Sequence, residues 1–177
     1  MEIFQIPTVI IKQKVKEHKI IKQNLLKMFD NSNSENINNE DLISKTDWLK
    51  SQDMNREYIN YFVSNITPYI KNIGKEVKAN DCKIIGMWYQ QYYKNDKHNW
   101  HNHGGVNWAN IYYVELPEKS VNTQFYDIVN KKILKNMDIN EGDLITFPAN
   151  MIHRSPQNNT NERKSIISFN CDFDVRL

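Results

Sequence analysis

The spacing of apolar residues along the chain changes near residue 80. Over about 15–29, apolar side chains recur three and four positions apart, which predicts an amphipathic helix. A longer stripe of the same kind predicts a second helix over about 53–77, which Pro68 is expected to kink or restart. Between them, residues 30–41 are rich in Asn and Ser and are expected to form a flexible loop.

After residue 80, β-branched and aromatic residues gather in short runs separated by turn-forming residues. The opening residues 2–11 have a similar character, with Pro7 bounding or interrupting a strand. Helices followed by many short strands predict an α+β chain. We expect a single domain over 1–177, mainly helical over 1–80, with a sandwich or open barrel over 81–177. Strands are predicted over 83–93, 107–115, 123–129, 143–147 and 164–173.

Composition and charge indicate an ordinary globular protein and argue against several functional classes. Charged residues make up 25% of the 177 residues, and the net charge is only +2, so a role as a dedicated nucleic-acid binder is not expected. The sequence has no apolar run of about eighteen residues and no signal-peptide pattern. Two separated cysteines, Cys82 and Cys171, do not indicate a disulfide scaffold. We therefore expect a reduced, cytoplasmic protein without a membrane segment.

Three of the five histidines, His98, His101 and His103, lie in one short segment. Side chains two positions apart on a strand share a face, so His101 and His103 can ligate one metal ion. His153 follows a turn, a predicted strand and a proline, and it is the candidate for a third ligand. Three ligands on one face leave coordination positions open, which an oxygen-activating Fe(II) site requires.

The middle ligand departs from the usual triad of two histidines and one carboxylate. His103 stands two residues after His101, where that triad has an acid. Asp96, Asp127 or another acid therefore remains an alternative to His103. His98 is interpreted as a loop residue.

A basic residue follows His153 at a separation of ten. Arg163 and Ser165 share a face of the predicted strand that begins there. A guanidinium group can donate two parallel hydrogen bonds to a carboxylate, and a neighbouring hydroxyl can add a third. The alternative is a surface arginine in an ion pair. Combined with His153, the pattern favours an anion-binding role.

In their order, these motifs resemble the 2-oxoglutarate/Fe(II) oxygenases of phages and bacteria, within the prolyl-hydroxylase-like superfamily. That resemblance implies a double-stranded β-helix, or jelly-roll, core with the N-terminal helices packed on it. It also implies that His101, His103 and His153 bind Fe(II), and that Arg163 and Ser165 bind 2-oxoglutarate. The segments that carry the resemblance are 4–9, 44–49, Trp88–Tyr92, His101–Gly105, 108–114 and 142–148, with His153, Arg163, Ser165 and Asn170.

Strand parity assigns six more side chains to the pocket. Gln90, Tyr92 and Tyr112 are expected near the co-substrate, whereas Trp88, Trp108 and Asn110 are expected near the substrate. The alternative for the aromatic residues is a purely structural place in the core.

The implied activity is hydroxylation of a C–H bond, which consumes O₂ and 2-oxoglutarate and releases succinate and CO₂. Two alternatives stay open. One is a three-histidine, cupin-like dioxygenase that does not use 2-oxoglutarate, as in thiol dioxygenases, and the other is a non-catalytic jelly-roll binding module. The substrate, a small molecule or a protein, does not follow from the sequence, and neither does the oligomeric state.

Overall fold

The structure is a computed structural model that describes residues 2, 8–135 and 137–175. Half of the predicted opening strand, residues 3–7, lies outside this range. Within the described residues, no helix is both long and apolar enough to cross a membrane.

A large antiparallel sheet contains seven strands. They are β1 (Ile11–Lys14), β2 (Glu35–Asn38), β3 (Leu42–Thr46), β4 (Ala79–Tyr92), β6 (Trp108–Glu115), β9 (Asp143–Pro148) and β11 (Lys164–Val175). Their order across the sheet is β1-β9-β6-β11-β4-β3-β2. β11 is the central strand, because it pairs with β4 along one edge and with β6 along the other.

A small sheet of four strands covers one face of the large sheet. Its strands are β5 (His98–His101), β7 (Gln124–Asp127), β8 (Lys132–Leu134) and β10 (His153–Ser155), in the order β5-β10-β7-β8. Phe125 of this sheet packs edge-on against Phe147 of the large sheet, with ring centroids 4.8 Å apart. The two sheets therefore share an apolar core, and the histidines lie at its edge.

Two helices, α1 (His18–Asn31) and α2 (Glu57–Glu76), cover the opposite face of the large sheet. Their buried stripes, which include Leu25 and Phe62, pack against Ile167 and Phe169 of β11. Both predicted helices are present. α2 runs through Pro68 without a break.

The segment 30–41 is more ordered than the predicted loop. It contains β2, which forms a hairpin with β3 and places Ile37 opposite Ile43. Ile37 packs on the core between the sheets, so burial of this apolar residue outweighs the turn-forming tendency of its polar neighbours. The described residues before β4 thus contribute three strands as well as both helices.

We expect Phe169→Ala to destabilise the protein by about 3–5 kcal/mol, because it leaves a cavity between the helices and the large sheet. Phe169 is fully buried and contacts Phe62 of α2. Urea unfolding followed by circular dichroism measures the change. The comparison variant is Ile20→Ala on the exposed face of α1, which we expect to change the free energy of unfolding by no more than about 0.5 kcal/mol. Equal effects of the two variants would contradict the packing described here.

Candidate metal centre

Three histidines meet where β5 and β10 pair. His101 ends β5 and lies directly opposite His153, the first residue of β10. His103 lies beyond β5, and its backbone N–H donates to the carbonyl of Ala149 at 2.8 Å. The ring centroids are 4.2 Å apart for His101 and His153, 5.1 Å for His103 and His153, and 5.4 Å for His101 and His103. One ligand atom from each ring lies within 4.8 Å of the others.

Each of the three imidazoles has its Nδ1 atom bonded to an oxygen that can only accept. A carbonyl or amide oxygen accepts a hydrogen bond, so Nδ1 carries the proton and Nε2 keeps its lone pair. This is the arrangement in which histidine ligates metals, with the second nitrogen fixed by an outer partner. The pairs are His101 with the Asn99 carbonyl (2.8 Å), His153 with the Met151 carbonyl (2.9 Å) and His103 with Asn170 Oδ1 (2.6 Å).

Burial keeps these imidazoles neutral. It is the largest cause that lowers the pKa of His101 and of His103, and it holds the pKa of His153 well below its usual range. A second protonated ring nearby would add charge repulsion to the cost of burying a charged imidazole. At neutral pH the three rings are therefore unprotonated and available as ligands.

The acids proposed as alternatives to His103 are engaged elsewhere. The carboxylate of Asp96 accepts the backbone N–H groups of Ser44 at 2.9 Å and Tyr93 at 2.8 Å. Asp127 accepts from Asn130 in an exposed turn. Across the described residues, the group able to hold a metal ion consists of three histidines and no acid.

His98 has a closer relation to this group than its interpretation as a loop residue implied. It is the first residue of β5, and its ring stacks on His101 with centroids 3.9 Å apart. Its Nε2 atom lies 3.6 Å from a carboxylate oxygen of Asp41. Burial, followed by the neighbouring His101, lowers the pKa of His98 to about 4. His98 is therefore a neutral neighbour of the group that also lines the cleft.

A cleft between the two sheets opens beside the histidines. Trp88, Gln90 and Tyr92 of β4 line it, which is the face that strand parity predicts. Trp88 is only 7% exposed, and its Nε1–H has no hydrogen-bond partner within the described part of the chain. A buried donor without a partner is costly, so this N–H favours an acceptor bound in the cleft.

On β6, strand parity predicts the wrong face for the side chains of Trp108, Asn110 and Tyr112. Tyr112 points toward the helices, and its hydroxyl bonds to Nδ1 of His18 at 2.7 Å. Trp108 packs edge-on against Phe173, also on the helix side. The intervening side chains, Ala109 and Ile111, line the cleft instead.

Asn110 borders the cleft, but its amide points to the helix side of the sheet and is already satisfied there. Its Nδ2 donates to the Phe169 carbonyl and to Cys171 Sγ, and its Oδ1 accepts from Thr146. The side chain therefore links neighbouring strands of the large sheet, and it has no free polar atom to offer a ligand.

Arg163 and Ser165 do not reach the cleft. The Arg163 guanidinium donates two hydrogen bonds to the Glu115 carboxylate, at 2.7 and 3.2 Å, and the Ser165 hydroxyl donates to the same group at 2.5 Å. Odd-numbered positions at this end of β11 point away from the small sheet. The structure therefore shows the alternative that the sequence left open, an arginine in an ion pair.

The adjacent residue, Lys164, points the other way. It is fully buried, and its ammonium donates to the Val121 carbonyl and to Ser155 Oγ, both at 2.7 Å. It also lies 5.1 Å from the centre of the Tyr92 ring. No acidic residue in the described ranges pairs with it, and burial lowers its pKa to about 7. Because Ser155 and Tyr92 line the cleft, Lys164 is a buried cation bordering it.

The residues present therefore fit Fe(II) and 2-oxoglutarate. Three neutral imidazoles offer convergent Nε2 atoms, which are suitable ligands for iron. Lys164 offers a cation that has no acidic partner among the described residues. It donates to the Ser155 hydroxyl, which is in turn hydrogen-bonded to Tyr92. Sequence reasoning missed Lys164 and the role of Asn170, although the alternation of side chains along β11 places both on the face of Ser168, which lines the cleft.

Comparison with protein families gives a match over the part of the chain that carries this site. Residues 86–170 match the family model described as "Putative 2OG-Fe(II) oxygenase". This segment carries all three histidines and Lys164. The match confirms the resemblance to this family that was stated from the sequence. A search of curated protein sequences finds no match.

Solved structures confirm the fold. A viral collagen prolyl hydroxylase from Paramecium bursaria Chlorella virus-1, in complex with 2-oxoglutarate, is similar with a TM-score of 0.61 at 11% identity, covering 94% of this chain and 96% of that one. A Pseudomonas putida prolyl-4-hydroxylase gives 0.64 at 9% identity, with 95% and 93% covered. HygX from Streptomyces hygroscopicus, with nickel and 2-oxoglutarate bound, gives 0.72 at 6% identity, with 93% and 83% covered. The fold is thus the double-stranded β-helix that the resemblance implied.

We expect the ligand-free protein to become more stable as pH rises from about 7 to 10.5. The pKa of Lys164 is about 7 in the folded protein and 10.5 for a free lysine. Between these values the lysine is protonated in the unfolded chain and mostly neutral in the folded protein, so a rise in pH favours folding. Lys164→Met removes this contribution. The measurement is urea unfolding of chelator-treated protein at pH 7 and 9.5. An equal rise in stability for both proteins would show that Lys164 is not the group responsible.

Proposed function

We propose that this protein is an Fe(II)- and 2-oxoglutarate-dependent oxygenase that hydroxylates a C–H bond of its substrate. In this proposal the Nε2 atoms of His101, His103 and His153 hold the iron, and Lys164 binds the distal carboxylate of 2-oxoglutarate. One observation carries the proposal: three convergent, unprotonated imidazoles lie at the same cleft as a buried lysine that pairs with no acid in the described part of the chain. The family of the matched segment supports both ligands.

The histidines fix the geometry of the centre. His101 and His153 come from paired strands, and His103 comes from the adjoining loop, so all three would hold a metal ion from one side. The opposite side is left for the co-substrate and O₂. When bound, Fe(II) with 2-oxoglutarate and O₂ supplies the oxidising power, with release of succinate and CO₂. No protein side chain is needed as a general acid or base.

Lys164 supplies the charge that 2-oxoglutarate needs. An ammonium group buried without an acid is unfavourable, and a carboxylate placed beside it offsets that cost. The hydroxyls of Tyr92 and Ser155 are positioned to add hydrogen bonds to the same carboxylate. Arg163 has no such role in this proposal, because Glu115 already occupies its guanidinium.

The remaining walls of the cleft exclude water and provide one further donor. Phe147, Ile111 and Ile166 form the apolar wall. Such a surround strengthens electrostatic contacts inside the site and keeps a reactive centre dry. The unpaired N–H of Trp88 is placed to donate to an oxygen atom of a bound co-substrate or substrate. The substrate is a small molecule or a protein side chain that enters from the side left open by the histidines.

One observation favours a second candidate function. The described residues provide no acid to the metal group. Three-histidine sites also occur in dioxygenases in which the substrate itself chelates the metal. In that case Lys164 would bind a carboxylate of the substrate, and turnover would not require 2-oxoglutarate.

The proposal predicts a visible charge-transfer band when 2-oxoglutarate is added to the anaerobic, Fe(II)-loaded protein. The band arises because the keto acid chelates the iron. His153→Ala is expected to abolish it through loss of a ligand. Lys164→Met is expected to weaken 2-oxoglutarate binding by about 10–100-fold. This factor corresponds to the loss of one charge-assisted hydrogen bond, which contributes about 1.5–3 kcal/mol. Titration of the band with 2-oxoglutarate measures the affinity.

Arg163→Met is the matched control, since it removes a cation from the neighbouring position on the opposite face. We expect it to lower the thermal midpoint by breaking the ion pair with Glu115, while the affinity for 2-oxoglutarate stays the same. Loss of affinity in Arg163→Met but not in Lys164→Met would reverse the assignment of the anchor. A protein that binds iron but shows no band would favour the three-histidine alternative.

A further inference from the structure

His103 is supported differently from the other two histidines. The Nδ1 atoms of His101 and His153 donate to backbone carbonyls two residues away, so their own strands fix these rings. His103 instead donates to a side chain, Asn170 Oδ1, at 2.6 Å. Asn170 lies 67 positions further along the chain, on β11.

The backbone around His103 provides little support of its own. His103 lies outside β5 and is followed by Gly104 and Gly105, the second with a positive φ of 74°. A Cβ atom added to either glycine would meet nothing within 4 Å, so this turn is open to solvent. The backbone bond to Ala149 fixes the position of the residue, but it does not fix the rotation of its ring.

The Asn170 amide decides which nitrogen of His103 is free. Its oxygen accepts from Nδ1–H, which leaves Nε2 as a lone pair directed at the other histidines. Without this acceptor the ring can carry its proton on Nε2, and a protonated Nε2 cannot ligate. In contrast to a backbone carbonyl, this acceptor is a side chain that a substitution can remove.

We infer that Asn170 is a positioning residue that makes His103 competent as the third metal ligand. The inference rests on the proposed function, because it assumes that the three histidines bind a metal. Two residues of β11 therefore serve the same site. Asn170 supports the metal group, and Lys164 borders the cleft. Asn170 also pairs with Ala109 of β6 and with Gly86 of β4, so the amide is held on a central part of the sheet.

The test compares Asn170→Leu, which removes the acceptor, with Asn170→Asp, which keeps it. Titration with Co(II) gives the affinity, and the visible d–d bands of bound Co(II) report its coordination. We expect Asn170→Leu to bind Co(II) about 10–100-fold more weakly, the usual effect of losing an outer partner of a metal ligand. Its spectrum should change to that of a site with fewer protein ligands. Asn170→Asp should restore both the affinity and the spectrum.

A second measurement does not depend on the metal. Nitrogen-15 NMR of the metal-free protein distinguishes the two neutral forms of a histidine ring. We expect His103 to be protonated on Nδ1 in the unmodified protein and in Asn170→Asp, and to populate the other form in Asn170→Leu. His101 and His153 should not change. If Asn170→Leu does not fold by circular dichroism, Asn170→Ala replaces it.

The outcomes separate the inference from the function on which it rests. An unmodified protein that binds neither Co(II) nor Fe(II) would overturn the proposed function. An unmodified protein that binds Co(II), with Asn170→Leu equal to it in affinity, spectrum and ring protonation, would overturn the role of Asn170 alone.

Discussion

The position of β11 between β4 and β6 is the constraint on which the site depends. Because both edges of this strand are paired, each of its side chains is committed to one face of the sheet. Ile167 and Phe169 pack under the helices, whereas Ile166 and Ser168 line the cleft. A shift of one residue would move Arg163 toward the cleft and Lys164 away from it. The apolar contacts with α1 and α2 therefore select the cation that borders the cleft.

This selection has an energetic consequence. Arg163 on the outer face is neutralised by Glu115, so its contribution is structural. Among the described residues, Lys164 on the inner face bonds to neutral acceptors alone, and the burial of its ammonium lowers its pKa. Proteins often accept a local loss of stability at a binding site, and here a bound anion would restore what burial removes.

Much of the architecture was predictable from the sequence, because the two periodicities are strong. The stripes of α1 and α2 and the long strands β4, β6, β9 and β11 follow directly from them. β2 was missed because its only apolar side chain, Ile37, is partly buried and is surrounded by residues that favour turns. Whether such a polar segment forms a strand depends on pairing with partner strands, and these partners are often distant in sequence.

The site was predictable only in part, because sequence spacing does not give strand pairing or the face to which a side chain points. The three histidines that the spacing suggested are brought together, since β5 and β10 pair where His101 and His153 stand. The anchor was assigned to Arg163 from residue type and distance along the chain, and both criteria ignore the face of the strand. On β4 the predicted parity is correct, whereas on β6 Tyr112 belongs to the helix side. Parity can be derived from a sequence only if one buried position of that strand is known in advance.

The charge of the proposed centre links these features. Fe(II) bound by three neutral imidazoles would keep a net charge of +2. Bound by two histidines and one carboxylate, it would have a net charge of +1. Under the proposed function, the three-histidine centre would attract the dianion 2-oxoglutarate more strongly, and Lys164 would add attraction at the far end of the same molecule. The missing carboxylate also makes the protein ligands weaker donors. A short hydrogen bond from His103 to Asn170 makes that imidazole more basic, so it compensates at the position where the acid is absent.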